Sequence, residues 1–146
     1  MNLTIEKRNI FTLDKKEWYF AHCISLDCKM GAGIAVKMKK KFHLGGLEEA
    51  IKNFPFADFI KVPVCFRHNG VLNLITKKKY YGKPTYETMK GALVSMWHLV
   101  DNNPEIKKIA MPKIGCGLDR LSWPKVLEII TEIFKDTDIE ILVCHI

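Results

Sequence analysis

The chain is predicted to fold as an α/β protein in which a mixed sheet lies between helices. Three observations predict it. Short apolar runs alternate with amphipathic helical patterns along the chain, which is the signature of strands covered by helices. One Asn-Gly pair, Asn69-Gly70, separates two apolar runs and predicts a hairpin, hence an antiparallel strand in the sheet. The 146 residues, 48% hydrophobic and 27% charged, suit one globular domain spanning 1–146 with apolar mass enough for its own core.

The elements follow in order. Residues 3–11 read as a strand. Residues 18–24 (WYFAHCI) read as a second strand, apolar on both faces and therefore buried. A glycine-containing turn follows, and 34–42 reads as a helix with its basic residues outward. His43-Leu44-Gly45-Gly46 breaks that helix, and 47–54 forms a short one. Residues 59–67 and 71–77 are the two hairpin strands. Pro84-Thr85 opens a long helix whose Tyr86, Met89, Leu93, Met96, Trp97 and Val100 recur at helical spacing and belong to the core. It ends near Asn103-Pro104. Residues 108–111 are a strand, Ser122 is placed to cap a helix carrying Val126, Leu127, Ile130, Ile133 and Phe134 on one face, and 139–145 is a last buried strand.

Composition narrows the function. The first residues are polar and lack the apolar run of a signal peptide, and no stretch is long and apolar enough to span a bilayer, so a cytoplasmic or nuclear protein is expected. The five cysteines are odd in number and scattered, without a CxxC pair, and no two histidines have ligand spacing. Neither a disulfide framework, nor a metal site, nor a bound cofactor is expected. The net charge of +7 concentrates in Lys37, Lys39, Lys40 and Lys41 and in Lys77, Lys78 and Lys79. That balance favours anionic partners such as phosphates, nucleotides or nucleic acid, although a lysine run also reads as a solvated face.

Two segments share one design of strand, glycine-containing turn and helix start: Asp27 to Ala35 and Ile114 to Arg120. Glycine lets backbone N–H groups approach an anion closely, and a helix N-terminus adds partial positive charge. Two such loops on one sheet edge would grip a diphosphate. Neither matches a dinucleotide fingerprint or a Walker A loop: Val36 stands where the former needs Gly or Ala, and no GxxxxGK[ST] occurs. Each loop alone also reads as a tight turn required by the chain path.

Lys77 ends an apolar strand, where ligands of α/β sheets bind. The adjacent Lys78 and Lys79 favour its neutral form, a nucleophile toward a sugar aldehyde. On its own it reads more readily as a strand-end lysine reaching solvent. Asp119 follows the second glycine loop, as a general base or ribose ligand, or as a partner of Arg120 or a helix cap. His22 reads as a core histidine. Ser25 and Asp27 read as ligand contacts or turn residues, and Cys116, near an expected helix start, lacks a histidine partner.

Taken together and in this order, residues 21–35 (AHCISLDCKMGAGIA), 74–78 (LITKK), 83–86 (KPTY) and 111–121 (MPKIGCGLDRL) resemble the macrodomain superfamily over nearly the whole chain. Within it they are most similar to the terminal ADP-ribose protein glycohydrolases, related to ADP-ribose-1''-phosphate phosphatases and DNA ADP-ribosyl glycohydrolases. The resemblance implies a three-layer α/β/α fold with a central mixed sheet and ADP-ribose in a cleft at the sheet edge. Gly31, Ala32, Gly33, Ile34 and Ala35, with Lys113, Ile114, Gly115, Cys116, Gly117 and Leu118, would hold the diphosphate and distal ribose. Ser25 would contact substrate, Asn9 and Ile10 would border adenine, and Ile146 would pack near it. Asn9 stands where the family carries aspartate, and its side-chain carbonyl can accept the same hydrogen bond. Lys77 and Asp119 would be the catalytic pair. The implied activity is removal of ADP-ribose from glutamate or aspartate esters on proteins, and deacylation of O-acetyl-ADP-ribose, by a monomer. A DNA-linked substrate and a non-catalytic reader of ADP-ribose are the alternatives, the former motivated by the charge.

Overall fold

The computed structural model of the chain describes residues 1–55 and 57–146. Its strands are β1 (Asn2–Lys7), β2 (Tyr19–Ser25), β3 (Val64–His68), β4 (Val71–Lys77), β5 (Lys108–Met111) and β6 (Glu140–His145). Its helices are α1 (Ile34–Lys41), α2 (Leu47–Lys52), α3 (Tyr86–Asn102) and α4 (Trp123–Phe134). The strands form one sheet in the order β1-β6-β5-β2-β4-β3. Every neighbouring pair is parallel except β3–β4.

Strand alternation explains the three layers. Ala21, Leu72, Leu74, Ile109, Ile141 and Val143 point to one face and pack on Met89, Leu93, Met96, Val126, Ile130 and Phe134 of α3 and α4. The intervening Phe20, Ile24, Val71, Ile75, Ala110 and Leu142 point to the other face and meet Met38 of α1 and Leu47 and Ile51 of α2. Two apolar faces on one sheet require a helical layer on each.

Local chemistry sets the boundaries. Asn69 (φ 50) and Gly70 (φ 77) both lie in the left-handed region, the conformation of the two-residue turn the dipeptide predicts. The Thr85 hydroxyl accepts from Thr88 N at 3.1 Å while the Thr88 hydroxyl accepts from Thr85 N at 2.9 Å. This reciprocal capping box starts α3 and contributes about 1 kcal/mol. Gly91 of α3 packs directly under Pro63, whose Cγ would lie 2.3 Å from an added Cβ.

Several sequence expectations shift. The strand expected over 3–11 stops at Lys7, because Asn9 caps a 3-10 turn over Ile10–Thr12 through Phe11 N. The strand expected from 59 begins only at Val64, after a 3-10 turn at Ala57–Phe59 and Pro63. Ser122 occupies the N-cap position of α4, but its side chain makes no capping bond. The second glycine loop does not run into a helix: α4 starts at Trp123, several residues beyond Asp119, with Pro124 in its first turn.

Candidate functional site

Five parallel strands bring their C-terminal ends to one edge of the sheet, where α/β proteins bind ligands. In spatial order the edge carries Arg8 and Asn9 after β1, Ile146 after β6, Lys113 after β5, the 26–33 loop after β2 and Lys77 at the end of β4. From β6 to β4 is three strand spacings, roughly 14 Å.

A cavity of about 460 Å³ occupies the β1–β6–β5 end. Ile10, Ile34 and Cys144 supply apolar lining, and the charged lining residues Arg8, Lys37 and Lys113 are all cations. This suits a flat apolar ring carrying phosphate groups. Asn9 lines the cavity, its Oδ1 accepting from Phe11 N at 3.0 Å. Ile10 both lines the cavity and belongs to the core cluster below it. Ile146 stands exposed at the rim.

The first glycine loop runs into α1 as expected. Gly33 is its N-cap, with φ 62 and ψ −149, a conformation nearly confined to glycine. Gly31, Ala32 and Gly33 are exposed, Ile34 and Ala35 half-buried, so this helix start faces the edge. The second loop divides by role. Cys116 and Gly117 line the cavity, whereas the Ile114 side chain is core. Gly115 (φ 71) is a packing glycine: an added Cβ would meet Met89 Cε at 2.6 Å and Leu121 Cδ1 at 3.0 Å. The loops approach each other at Gly33 and Leu118, where an added Cβ on Gly33 would sit 3.5 Å from Leu118 Cδ1.

Lys77 and Asp119 stand beyond that contact. Lys77 Nζ donates to Asp119 Oδ1 at 2.8 Å, with 15% and 14% of the two side chains exposed. Asp119 therefore takes Lys77 as its partner, not Arg120, and it caps no helix. Lys78 and Lys79 are exposed.

Asp27 staples the β2 loop to the β4 loop. Its carboxylate accepts from the Ser25 hydroxyl, from Lys29 N at 3.4 Å and from Tyr80 N at 3.0 Å. Leu26 N also donates to Lys77 O at 2.9 Å. Partial burial works against the charge on Asp27, but the bonds from Ser25, Tyr80 N and Lys29 N together hold its carboxyl below the usual carboxylate range. Ser25 is buried with its hydroxyl on Asp27, which makes it a support of the loop.

His22 lies in the core, its Nε2 2.7 Å from Asn73 Oδ1, and burial pushes its pKa down to about 4 despite the Asn73 bond. Asn73 in turn donates to Phe66 O and Val71 O. The Cys23 thiol is pushed up by burial and then by the nearby Asp119 carboxylate. Burial also raises the Cys116 thiol, against the pull of Lys113, so neither cysteine is an activated nucleophile.

The sequence reading did not identify Arg8 and Lys37 as lining residues, nor the Asp27–Tyr80 link. Arg8 is adjacent to Asn9 and Lys37 lies one turn into α1, signals that spacing alone carries. The Asp27–Tyr80 bond joins two loops distant in sequence and leaves no local signal.

The chain matches no family model. It is 42% identical over 144 residues to the ADP-ribose glycohydrolase OARD1 of Homo sapiens, across 97% of this chain and 90% of the relative. The macrodomain of Thermus aquaticus DarG superposes with a TM-score of 0.80 at 18% identity, covering 99% of this chain and 98% of that one. Thermosipho africanus DarTG, solved in complex with ADP-ribose, superposes with a TM-score of 0.78 at 16% identity, covering 99% of this chain and 41% of the other. At these identities the two solved structures speak to the fold.

Proposed function

This chain belongs to the macrodomain family of ADP-ribose glycohydrolases, and on that premise we propose that it frees ADP-ribose from glutamate and aspartate esters on proteins and deacylates O-acetyl-ADP-ribose. The observation that carries the reading is the Lys77–Asp119 pair, 2.8 Å apart and mostly buried, at the far end of the edge from a cationic, apolar-lined cavity. A pure reader of ADP-ribose needs the cavity and the loops but has no use for a sequestered amine beside a carboxylate.

Adenine lies in the cavity against Asn9 and Ile10. The diphosphate passes between the α1 N-terminus and the 116–118 backbone, near Lys37 and Lys113. The distal ribose then reaches Lys77. With substrate bound, the ammonium of Lys77 gives a proton to the Asp119 carboxylate. The free amine attacks C1'' of the ribose, a C–N bond forms, and the C1''–O bond to the acyl group breaks. The acyl group leaves as a carboxylate, which needs no proton. Ring opening gives an iminium. Asp119 releases its proton to solvent as the carboxylate departs, then removes a proton from the water that adds to the iminium. It returns that proton to the carbinolamine nitrogen, the C1''–N bond breaks, and ADP-ribose leaves with the lysine ammonium restored. Most of the acceleration comes from positioning and from a nucleophile with its base attached.

The test pairs turnover with binding. Lys77→Met should abolish hydrolysis of an ADP-ribosyl glutamate ester while retaining ADP-ribose affinity, because the adenine and diphosphate contacts lie elsewhere. Borohydride should trap a lysine adduct in the native protein only. Hydrolysis by Lys77→Met at the native rate ends the proposal.

A further inference from the structure

Beyond Lys77 the chain builds a short loop that the reading above leaves unused. Residues 78–83 (KKYYGK) follow the reactive lysine directly, and Tyr80 and Tyr81 are 60% and 71% exposed. Their rings meet edge-on with centroids 5.3 Å apart. Leu118, next to Asp119, is 64% exposed. Apolar surface on this scale beside a site marks a contact.

The loop is fixed although its side chains are free. Tyr80 N donates to Asp27 Oδ2, Gly82 N to Lys79 O at 2.9 Å, and Lys83 Nζ to Leu118 O at 3.0 Å. An added Cβ on Gly82 would lie 4.0 Å from Lys77 Cβ, so the loop backbone leans on the reactive lysine's stem. Lys78 and Lys79 are exposed and have no ion-pair partner among the described residues. An aromatic pair on an anchored backbone loses little freedom on binding.

Direction decides what lands there. With adenine at the β1–β6 end and the distal ribose at β4, whatever is attached to C1'' leaves the groove past β4, onto this loop. We propose that residues 78–81, with Leu118, form a docking surface for the acidic protein segment that bears the ADP-ribosyl ester. The proposal rests on the ester-hydrolase reading. Two unpaired lysines complement carboxylates flanking the modified residue and favour the carboxylate that leaves, while Tyr80, Tyr81 and Leu118 cover the peptide's apolar atoms.

The full chain is assayed on three substrates: O-acetyl-ADP-ribose, a peptide with one ADP-ribosylated glutamate flanked by Asp and Glu, and the same peptide flanked by Ser and Gly. Expected is a kcat/KM about ten-fold higher on the acidic peptide at low ionic strength, with the preference shrinking as salt rises. Lys78→Ser with Lys79→Ser should erase the preference. Tyr80→Ser with Tyr81→Ser should lower kcat/KM several-fold on both peptides. The Asp27 bond is to the Tyr80 backbone, so the loop path survives, and O-acetyl-ADP-ribose turnover should not change in the tyrosine variant, while the lysine variant is judged by the ratio of its own rates on the two peptides. Equal rates on the two peptides, or a preference that survives the lysine changes, overturns the docking surface. So does faster turnover of an ADP-ribosylated oligonucleotide that the tyrosine changes slow, which would assign the surface to nucleic acid. Failure of the native chain on O-acetyl-ADP-ribose strikes the hydrolase reading itself.

Discussion

Breaking the Lys77–Asp119 pair from one side should cost more stability than removing it whole. At 2.8 Å and an effective dielectric near 20 the gross attraction is about 6 kcal/mol, most of it offset by taking both ions out of water. With about one-seventh of each side chain exposed, the pair lies between a surface pair worth under about 1 kcal/mol and a buried one whose half-removal costs about 3–5 kcal/mol. Asp119→Ala and Lys77→Met should therefore each lose about 2 kcal/mol, since each leaves one charge stranded. Lys77→Met with Asp119→Ala should lose only about 1 kcal/mol, giving a coupling of about 3 kcal/mol. Urea unfolding reads this: with a slope of about 2 kcal/mol per molar, each single change moves the midpoint by about 1 M. Turnover measured alongside should fall to the same floor in all three variants, because the amine and its base act as one unit. Strictly additive stability losses, or a double variant clearly slower than either single, would refute the reasoning.

Acidification should destabilise the protein between pH 6.5 and about 4. In that window unfolded His22 binds a proton and folded His22 does not, so stability falls by up to roughly 3 kcal/mol and is flat above pH 7. His22→Gln should remove this part of the slope in thermal melts, and an unchanged slope would exclude His22 as its source. Gly91→Ala gains about 1 kcal/mol of helix propensity but drives a methyl into the rigid Pro63 ring, for a net loss of about 1–2 kcal/mol by chemical denaturation. Gly33→Ala should cost about 1–3 kcal/mol in backbone strain and weaken ADP-ribose binding at least ten-fold by calorimetry. Asn9→Asp should keep the cap on Phe11 N, give the adenine amino group a charged acceptor and tighten ADP-ribose binding; weaker binding would show that adenine does not meet this side chain.

What the sequence disclosed followed periodicity and turn chemistry. The Asn69-Gly70 hairpin, the Thr85 helix start, the core stripe of α3 and His22 as a core residue all announce themselves locally. Some boundaries did not: 3–11 reads as one strand until Asn9 folds back on Phe11 N, and the 114–120 loop reads as running into a helix start, although Ser122 is rightly placed as the cap position and α4 begins only after it. Asn73 sits unremarked in an apolar strand, and only the accounting of buried donors and acceptors across β2, β3 and β4 gives it a reason. Lys77 and Asp119 are 42 residues apart, and their meeting needs the strand order as well as the sequence.

The raised thiols of Cys23 and Cys116 have a practical consequence for chemical biology. Covalent inhibitors commonly carry acrylamide or chloroacetamide warheads aimed at cysteine, and Cys23 and Cys116 offer them little thiolate. The residue to label is the amine. An aryl aldehyde with an ortho hydroxyl, tethered to an adenosine-like fragment, would form a stabilised imine with it and give a reversible probe that ignores alkylating conditions.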